Sequence, residues 1–432
     1  NFYSIKRRGL VGDNFTDPKI IDELKGNSAI GHNRYSTTGA PMIRNIQPFF
    51  ADLHTGGLSI AHNGNLTNAI SIREKMVKDG AIFQTTSDTE TLVQLIAKSK
   101  RVKTIDKIID AVFQVQGGYA LAMMTNKKLV GIRDPYGIRP LVLGKLKDSY
   151  ILSSETCALD IIGADFIREI ENGEIVVIDK NGVESIKPFP KVPARPCVFE
   201  YVYFSRPASI VGGKAVHEYR KKLGEELAKE LSIEADIVSA VPDSGIPAAI
   251  GYSNQSKITY DMGIIRNHYV GRTFIEPTQQ IRQLGVKLKH NANKEIIKNK
   301  RLILVDDSIV RGTTSKKLVD MLYNAGAKEI HLCISSPPIK HPDYYGIDTP
   351  NIKDLIAANH SNEEIRKIIG VDTLQYLSIE GLYRALGHEK RNEKNPQFTD
   401  HCFTGDYPVQ PLDQLNQLEK NNQLSLLSNV RF

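Results

Sequence analysis

The chain has 432 residues, 41% of them hydrophobic, with a formal net charge of +7 and four cysteines. Such a length exceeds one ordinary core and implies roughly two or three domains. The basic residues are spread out, with only short clusters such as Lys98 to Lys103, which argues for solvated faces that suit phosphorylated anions rather than for a nucleic-acid stripe. Cys157, Cys197, Cys333 and Cys402 lie far apart without CxxC pairing, so no disulfide framework is expected. No apolar stretch approaches a membrane span, and the start NFYSIKRRGL lacks the apolar core of a signal peptide; a cytoplasmic chain is expected.

From about Ser28 to Ile186, short β-type runs alternate with turns rich in Gly, Asn and Asp: LSIAHNG, YALAMMTNKKLVGIRDPYG, PLVLGKL, SYILSSE and EIVVIDKNG. Helical patterns interrupt them near Asn68 to Lys78 and Asp88 to Lys98. Hairpin-sized spacing predicts antiparallel sheets with helices packed outside. The proline-marked KPFPKVPARP then reads as a domain junction. The chain accordingly divides into 1–190, 191–405 and a tail or peripheral helix over 406–432, which is rich in Gln, Asn and Leu from about Gln410.

Beyond the junction the pattern changes. Helical KAVHEYRKKLGEELAKEL, strand-like DIVSAVPDSG, helical IPAAIGYSNQ, the strand LILVDD, helical SKKLVDMLYNAGA and the strand EIHLCISSPP follow in turn. Strands alternating with helices predict a doubly wound parallel sheet, with ligands at the carboxyl ends of its strands. Two such ends carry chemistry. Val241-Pro242-Asp243-Ser244-Gly245 is, taken alone, an ordinary helix cap. Leu302 to Ser315, LILVDDSIVRGTTS, ends a strand in the carboxylates Asp306 and Asp307 and opens a helix with Gly312, Thr313, Thr314 and Ser315. Backbone N–H groups at such a helix start cradle a phosphate, and the carboxylates suit ribose hydroxyls or a hydrated Mg²⁺. Between the two ends runs a long polar segment with Arg266, Tyr269, Arg272, Arg282, Lys287 and Lys289. A cationic loop of that size can close over a doubly phosphorylated substrate.

The string VDDSIVRGTTS resembles the phosphoribosyl pyrophosphate (PRPP) loop of type I phosphoribosyltransferases, and VPDSG resembles their pyrophosphate loop. That resemblance implies PRPP binding by Asp306, Asp307, Ser308, Arg311, Gly312, Thr313, Thr314, Ser315, Asp243 and Ser244. It also implies Mg²⁺ held with Ser244, Asp306 and Asp307. RNHYVGRTFIEP, together with GHNRYSTTG (Gly31 to Gly39), AHNGNL (Ala61 to Leu66), QTTSDTE (Gln84 to Glu90), RDPYGIRPL (Arg133 to Leu141) and EYVYFSRP (Glu200 to Pro207), resembles one family over essentially the whole chain: the glutamine PRPP amidotransferases.

The family implies an N-terminal nucleophile (Ntn) hydrolase glutaminase domain of αββα layering, followed by a type I phosphoribosyltransferase domain with a parallel sheet. The implied reaction is the first committed step of purine synthesis, in which PRPP and glutamine-derived ammonia give 5-phosphoribosylamine, with Arg266, Tyr269, Arg272 and Lys287 on the closing loop. Arg34 offers a fork for the glutamine α-carboxylate. By resemblance, Asp88 holds the α-ammonium, and the Asn63 side chain with the Gly64 N–H makes the oxyanion hole. A homo-oligomer is implied, without nucleic-acid or membrane partners; inhibition by purine nucleotides stays open.

Two departures stand out. The nucleophile of these glutaminases is an amino-terminal cysteine, yet the sequence starts at Asn1 and holds no cysteine before Cys157. An amino-terminal portion is therefore expected to be missing, leaving transfer from ammonia alone, with Cys157 a buried small residue. In one branch of the family four cysteines hold a [4Fe–4S] cluster. Here Cys197 and Cys402 match two positions while Asp343 and Thr399 stand at the others, so no cluster is expected. A glucosamine 6-phosphate type amidotransferase lacks a PRPP loop; a PRPP-binding regulator or inactive paralogue stays open as the alternative.

Overall fold

Alternation of apolar side chains with a period of two builds the first half. A computed structural model describes residues 1–34, 42–267, 290–347, 349 and 351–415. Strands β1 (Phe49–Leu53), β2 (Gly56–Leu66), β3 (Gly117–Thr125), β4 (Leu129–Arg133), β8 (Ile175–Asp179) and β9 (Gly182–Ile186) form one antiparallel sheet in that spatial order. Strands β5 (Val142–Leu146), β6 (Ser149–Ser153) and β7 (Asp165–Glu169) form a second antiparallel sheet, ordered β6-β5-β7.

On the larger sheet Leu121 and Met123 of β3 and Ile175 and Val177 of β8 face one way. They pack on Met76 of α1 (Ala69–Lys78), Leu92 and Ile96 of α2 (Thr89–Lys98) and Ile108 and Val112 of α3 (Thr104–Val112). The intervening Ala120 and Val176 face the second sheet, meeting Leu141 and Leu143. The sheets lie so close that a β-carbon at Gly131 would come within 2.7 Å of Leu152. Leu159 of α4 (Cys157–Ile162) covers the far side of the second sheet with Val142 and Ala164. The layering is helix, sheet, sheet, helix, as expected of an Ntn glutaminase domain.

After the irregular stretch 187–196, a π-helical turn Glu200–Phe204 leads into the second half. There β10 (Ile237–Ala240), β11 (Arg301–Asp306), β12 (Glu329–Ile334) and β13 (Thr373–Tyr376) form a four-stranded, all-parallel sheet in that order. Helices cover both faces. Ile303 and Val305 pack with Leu223 and Leu227 of α5 (Val216–Glu230), Ala249 and Tyr252 of α6 (Ile246–Ser256) and Leu382 of α8 (Ile379–Ala385). Leu302 and Leu304 turn instead to Leu318, Val319 and Leu322 of α7 (Thr313–Asn324). Near-continuous apolar strands are what a sheet buried on both faces requires.

The second half returns to the first at its end. Asp413, 3% exposed, accepts the backbone N–H of Ile70 at 2.7 Å and of Ser71 at 3.0 Å, and the Ser71 hydroxyl at 2.6 Å. Asn68, at the N-cap of α1, makes no side-chain cap, so a carboxylate from 343 residues away serves the first turn. Replacing Asp413 by Ala is expected to destabilise by about 1–2 kcal/mol. Urea melts would show the midpoint falling, and amide exchange would show faster opening confined to the first turn of α1.

Candidate active sites

Two strand ends of the parallel sheet are drawn together by hydrogen bonding and by glycine. The Val241 N–H donates to the Val305 carbonyl at 2.9 Å, continuing the β10–β11 pairing. A β-carbon at Gly245 would lie 2.5 Å from the Val305 oxygen and 3.2 Å from the Asp306 Cα, so the Val241 to Gly245 turn can press against the acidic pair. Asp306 and Asp307 are 8% and 6% exposed. The Asp307 N–H donates to Asp306 Oδ1 at 2.9 Å, and the Ser308 hydroxyl donates to Asp307 Oδ1 at 2.5 Å. Burial, and then the Asp307 charge, push the Asp306 carboxyl well above its ordinary value. Burial raises Asp307 too, opposed by hydrogen bonding from Ser244 and Ser308 and by the Arg220 charge. Two buried carboxylates short of positive charge form a donor set that fits a hard divalent cation, one that fills its remaining positions with water and substrate phosphate.

Beside the pair, Gly312 sits at φ +74° and opens α7 with no side-chain cap. A β-carbon there would be strained and 2.8 Å from Ile356. Thr313 and Thr314 are exposed at this helix start and Ser315 is buried. Arg311 points elsewhere, to Asp354 at 3.1 Å on the surface. Asp243 is ion-paired with Arg266, which lies on a short strand, Ile264–Arg266, paired with His290–Ala292. Tyr269, Arg272 and Lys287, with Arg282 and Lys289, lie outside the described residues.

In the first half, β2 carries His62, Asn63, Gly64 and Asn65. Gly64 has φ +138°, and a β-carbon on it would fall 2.0 Å from the Gly118 oxygen, so only glycine fits. Asp88, at the N-cap of α2, accepts the Leu66 N–H at 3.0 Å and lies 3.5 Å from His62 Nδ1. Burial opposes its charge, but His62 and the Leu66 and Thr89 N–H groups outweigh that and hold its carboxyl below the ordinary value. Burial lowers the Arg34 pKa and the Asp88 charge works against it, placing the two within electrostatic reach. His32 donates from Nε2 to the His62 carbonyl at 2.9 Å, and burial pushes its imidazole down to about 4. The rest of GHNRYSTTG from Tyr35 to Gly39 lies outside the described residues.

Several contacts at this site escape motif reading. Arg139 Nη2 donates to Asn63 Oδ1 at 3.0 Å, and its Nη1 lies 3.2 Å from Glu200. The second half also touches β2: Asn65 Nδ2 donates to the Tyr344 carbonyl at 2.9 Å, and a β-carbon on Gly346 would lie 2.9 Å from the Gly64 Cα. Arg139 and Glu200 lie inside RDPYGIRPL and EYVYFSRP, so an unassigned charge within a motif was the available signal. Tyr344 and Gly346 carry none.

The four positions that would serve an iron–sulfur cluster do gather, but as a hydrogen-bonded plug. Cys197 bridges to Thr399, whose hydroxyl donates to the Arg195 carbonyl at 2.5 Å. Asp343 Oδ1 accepts the N–H of Tyr345 at 2.8 Å and of Ile347 at 2.7 Å, while Oδ2 takes His401 Nε2 at 2.8 Å. Burial raises both the Cys402 thiol and the Cys197 thiol, the latter to about 12. Two protonated thiols, an engaged carboxylate and an engaged hydroxyl do not fit a cluster that needs four thiolates.

Comparison with known proteins bears on both sites. A glutamine amidotransferase domain model matches residues 32–160 and a phosphoribosyl transferase domain model matches 213–371. The amidophosphoribosyltransferase of Rhizobium etli is 55% identical over 433 residues, covering 99% of this chain and 87% of that protein. The chain belongs to the amidophosphoribosyltransferase family. It is a glycosyltransferase of purine biosynthesis with a glutaminase domain in front. A solved amidophosphoribosyltransferase, glutamine PRPP amidotransferase of Bacillus subtilis complexed with ADP and GMP, superposes with a TM-score of 0.84 at 46% identity, covering 90% of this chain and 85% of that one. A second, described as the allosteric regulatory enzyme of purine biosynthesis, gives a TM-score of 0.87 at 45% identity, covering 93% and 86%. Among the described residues no helix is long and apolar enough to cross a membrane.

Proposed function

We propose that the chain forms 5-phosphoribosylamine from PRPP, with Asp306 and Asp307 at the ribose and the start of α7 at the 5′-phosphate. The observation that carries this reading is the buried acidic pair, flanked by the Ser244 turn on one side and by the uncapped helix on the other. Mg²⁺ held by Asp306 and Asp307 with Ser244 would neutralise the pyrophosphate as it departs. The chain's own groups do the rest. The N–H groups and hydroxyls of Thr313, Thr314 and Ser315 anchor the phosphate, and the acidic pair orients the ribose. Ammonia forms the new C1–N bond as the C1–O bond to pyrophosphate breaks, and the surplus proton leaves the nitrogen.

In the first domain, with the division at 190/191, Arg34 and Asp88 bind the α-groups of glutamine. The Asn63 amide and the Gly64 N–H receive the oxyanion. Arg266, ion-paired with Asp243, stands at the second site, and the ADP and GMP of the solved relative make purine nucleotides the regulators to test. The plug at Asp343 and Thr399 supports folding without a cluster. Cys157, Cys197, Cys333 and Cys402 are all buried, which supports transfer from ammonia as the reading for these 432 residues.

The test is Mg²⁺-dependent pyrophosphate release from PRPP, with ammonium at alkaline pH and separately with glutamine. Turnover with ammonium alone is the expected result. Turnover with glutamine would mean a nucleophile has been overlooked, and turnover with neither, in folded protein, would leave a PRPP-binding regulator.

A further inference from the structure

An amide side chain has a donor end and an acceptor end of nearly equal shape, and an oxyanion needs the donor. Asn63 therefore has to be held the right way round. Arginine carries only donors, so a guanidinium placed against Asn63 can meet only Oδ1. Arg139 does this at 3.0 Å. The remaining end, Nδ2, is 3.5 Å from the Ser154 hydroxyl, at the limit of a hydrogen bond, and keeps its donor capacity for an incoming oxyanion.

Arg139 is itself fixed from several sides. It is 6% exposed, its Nη1 lies 3.2 Å from Glu200, and its guanidinium stands 5.6 Å from the Phe204 ring centre. Its backbone N–H donates to Asp134 at 3.1 Å. Burial disfavours its charge, and Glu200, with Asp343 and Asp134 behind it, offsets that. Glu200 is 5% exposed, and its other oxygen accepts the Ser205 hydroxyl at 2.6 Å. Glu200 and Phe204 begin and end the π-helical turn beyond the junction.

We infer that Arg139 is a positioning residue for glutamine hydrolysis: it locks the Asn63 amide with Nδ2 toward the substrate, and Glu200, from the far side of the junction, locks Arg139. The inference rests on the reading of Asn63 as an oxyanion donor.

A double-mutant cycle in a form of the protein that hydrolyses glutamine tests it, with ammonia-dependent transfer, which does not use Asn63, as the measure of intact folding. Arg139→Met should lower kcat for glutamine by about 10- to 100-fold, less than the ~10²–10³-fold of losing an oxyanion donor outright. KM for glutamine should stay within about twofold, because ground-state binding is untouched. Asn63→Ala combined with Arg139→Met should be no slower than Asn63→Ala alone, since a group acting only through Asn63 has nothing left to position. Arg139→Lys should recover part of the loss. If Arg139→Met does not fold, Glu200→Gln, which keeps the shape and removes the charge holding Arg139, takes its place in the cycle.

Losses that multiply in the double variant, a raised KM at unchanged kcat, or ammonia-dependent transfer falling in parallel would each overturn the positioning role. Failure of Asn63→Ala alone to slow glutamine hydrolysis would overturn the oxyanion reading, and this inference with it.

Discussion

Replacing Asp306 and Asp307 together by Asn is expected to abolish PRPP turnover, by on the order of 10³-fold or more, while making the ligand-free protein more stable. Loss of activity follows, on the proposed reading, from removing the two buried carboxylates assigned to the ribose and the metal. Gain of stability follows from burial: two carboxylates share a site where desolvation and their own repulsion penalise the ionised forms. Asn keeps the shape and much of the hydrogen bonding without the charge.

The pH dependence has a definite sign. The carboxyl of Asp306 is raised in the folded chain, so between the ordinary carboxylate value near ~4 and that raised value the folded state holds the proton more tightly than the unfolded one. Stability therefore falls as pH rises through this window, and the whole penalty is present only above it. The variant lacks that slope. Thermal melts run upward from acid pH should show the difference in Tm opening above about pH 4. Mg²⁺ with PRPP should raise the Tm of the parent chain and not that of the variant. A variant less stable than its parent at neutral pH would mean that Ser244, Ser308 and Arg220 already compensate the charges.

Contiguous motifs were legible because their geometry is local. A strand ending in two carboxylates, a glycine at positive φ and a hydroxyl-rich helix start lie within Leu302 to Ser315, and the structure builds them from that segment. The two layered cores were legible from periodicity for the same reason. Helix α3, Thr104–Val112, is absent from the helical patterns named above although Ile105, Ile108, Ile109 and Val112 form a helical stripe. Strand β13, Thr373–Tyr376, has no alternation to find, since all four residues are half-buried. The partners of Asn63 and Asn65 were out of reach for a different reason. Arg139 is 76 residues from Asn63 and Tyr344 is 279 from Asn65, and nothing in either local sequence says that the two will meet.

That last contact makes the second large effect. In a form of the protein that hydrolyses glutamine, Gly64→Ala should lower glutamine use by about 10²-fold or more, because its β-carbon would lie 2.0 Å from the Gly118 oxygen at φ +138°. Neither strand can yield without moving Asn63 and Gly64, the groups proposed to receive the oxyanion. Gly346→Ala tests the same spot from the other domain. At φ +112° its β-carbon would stand 2.9 Å from the Gly64 Cα, and the displaced Tyr344 carbonyl would release Asn65. Gly346 lies beyond the acidic strand, in the transferase half, so a purely local reading expects its substitution to harm PRPP turnover. Packing against β2 gives the opposite ranking: in the glutamine-hydrolysing form the ratio of glutamine-dependent to ammonia-dependent rates should fall, by about tenfold or more if an oxyanion donor shifts. An unchanged ratio with both rates lowered would sink the argument, and would mean that Gly346 serves the transferase fold rather than the face it presents to Gly64.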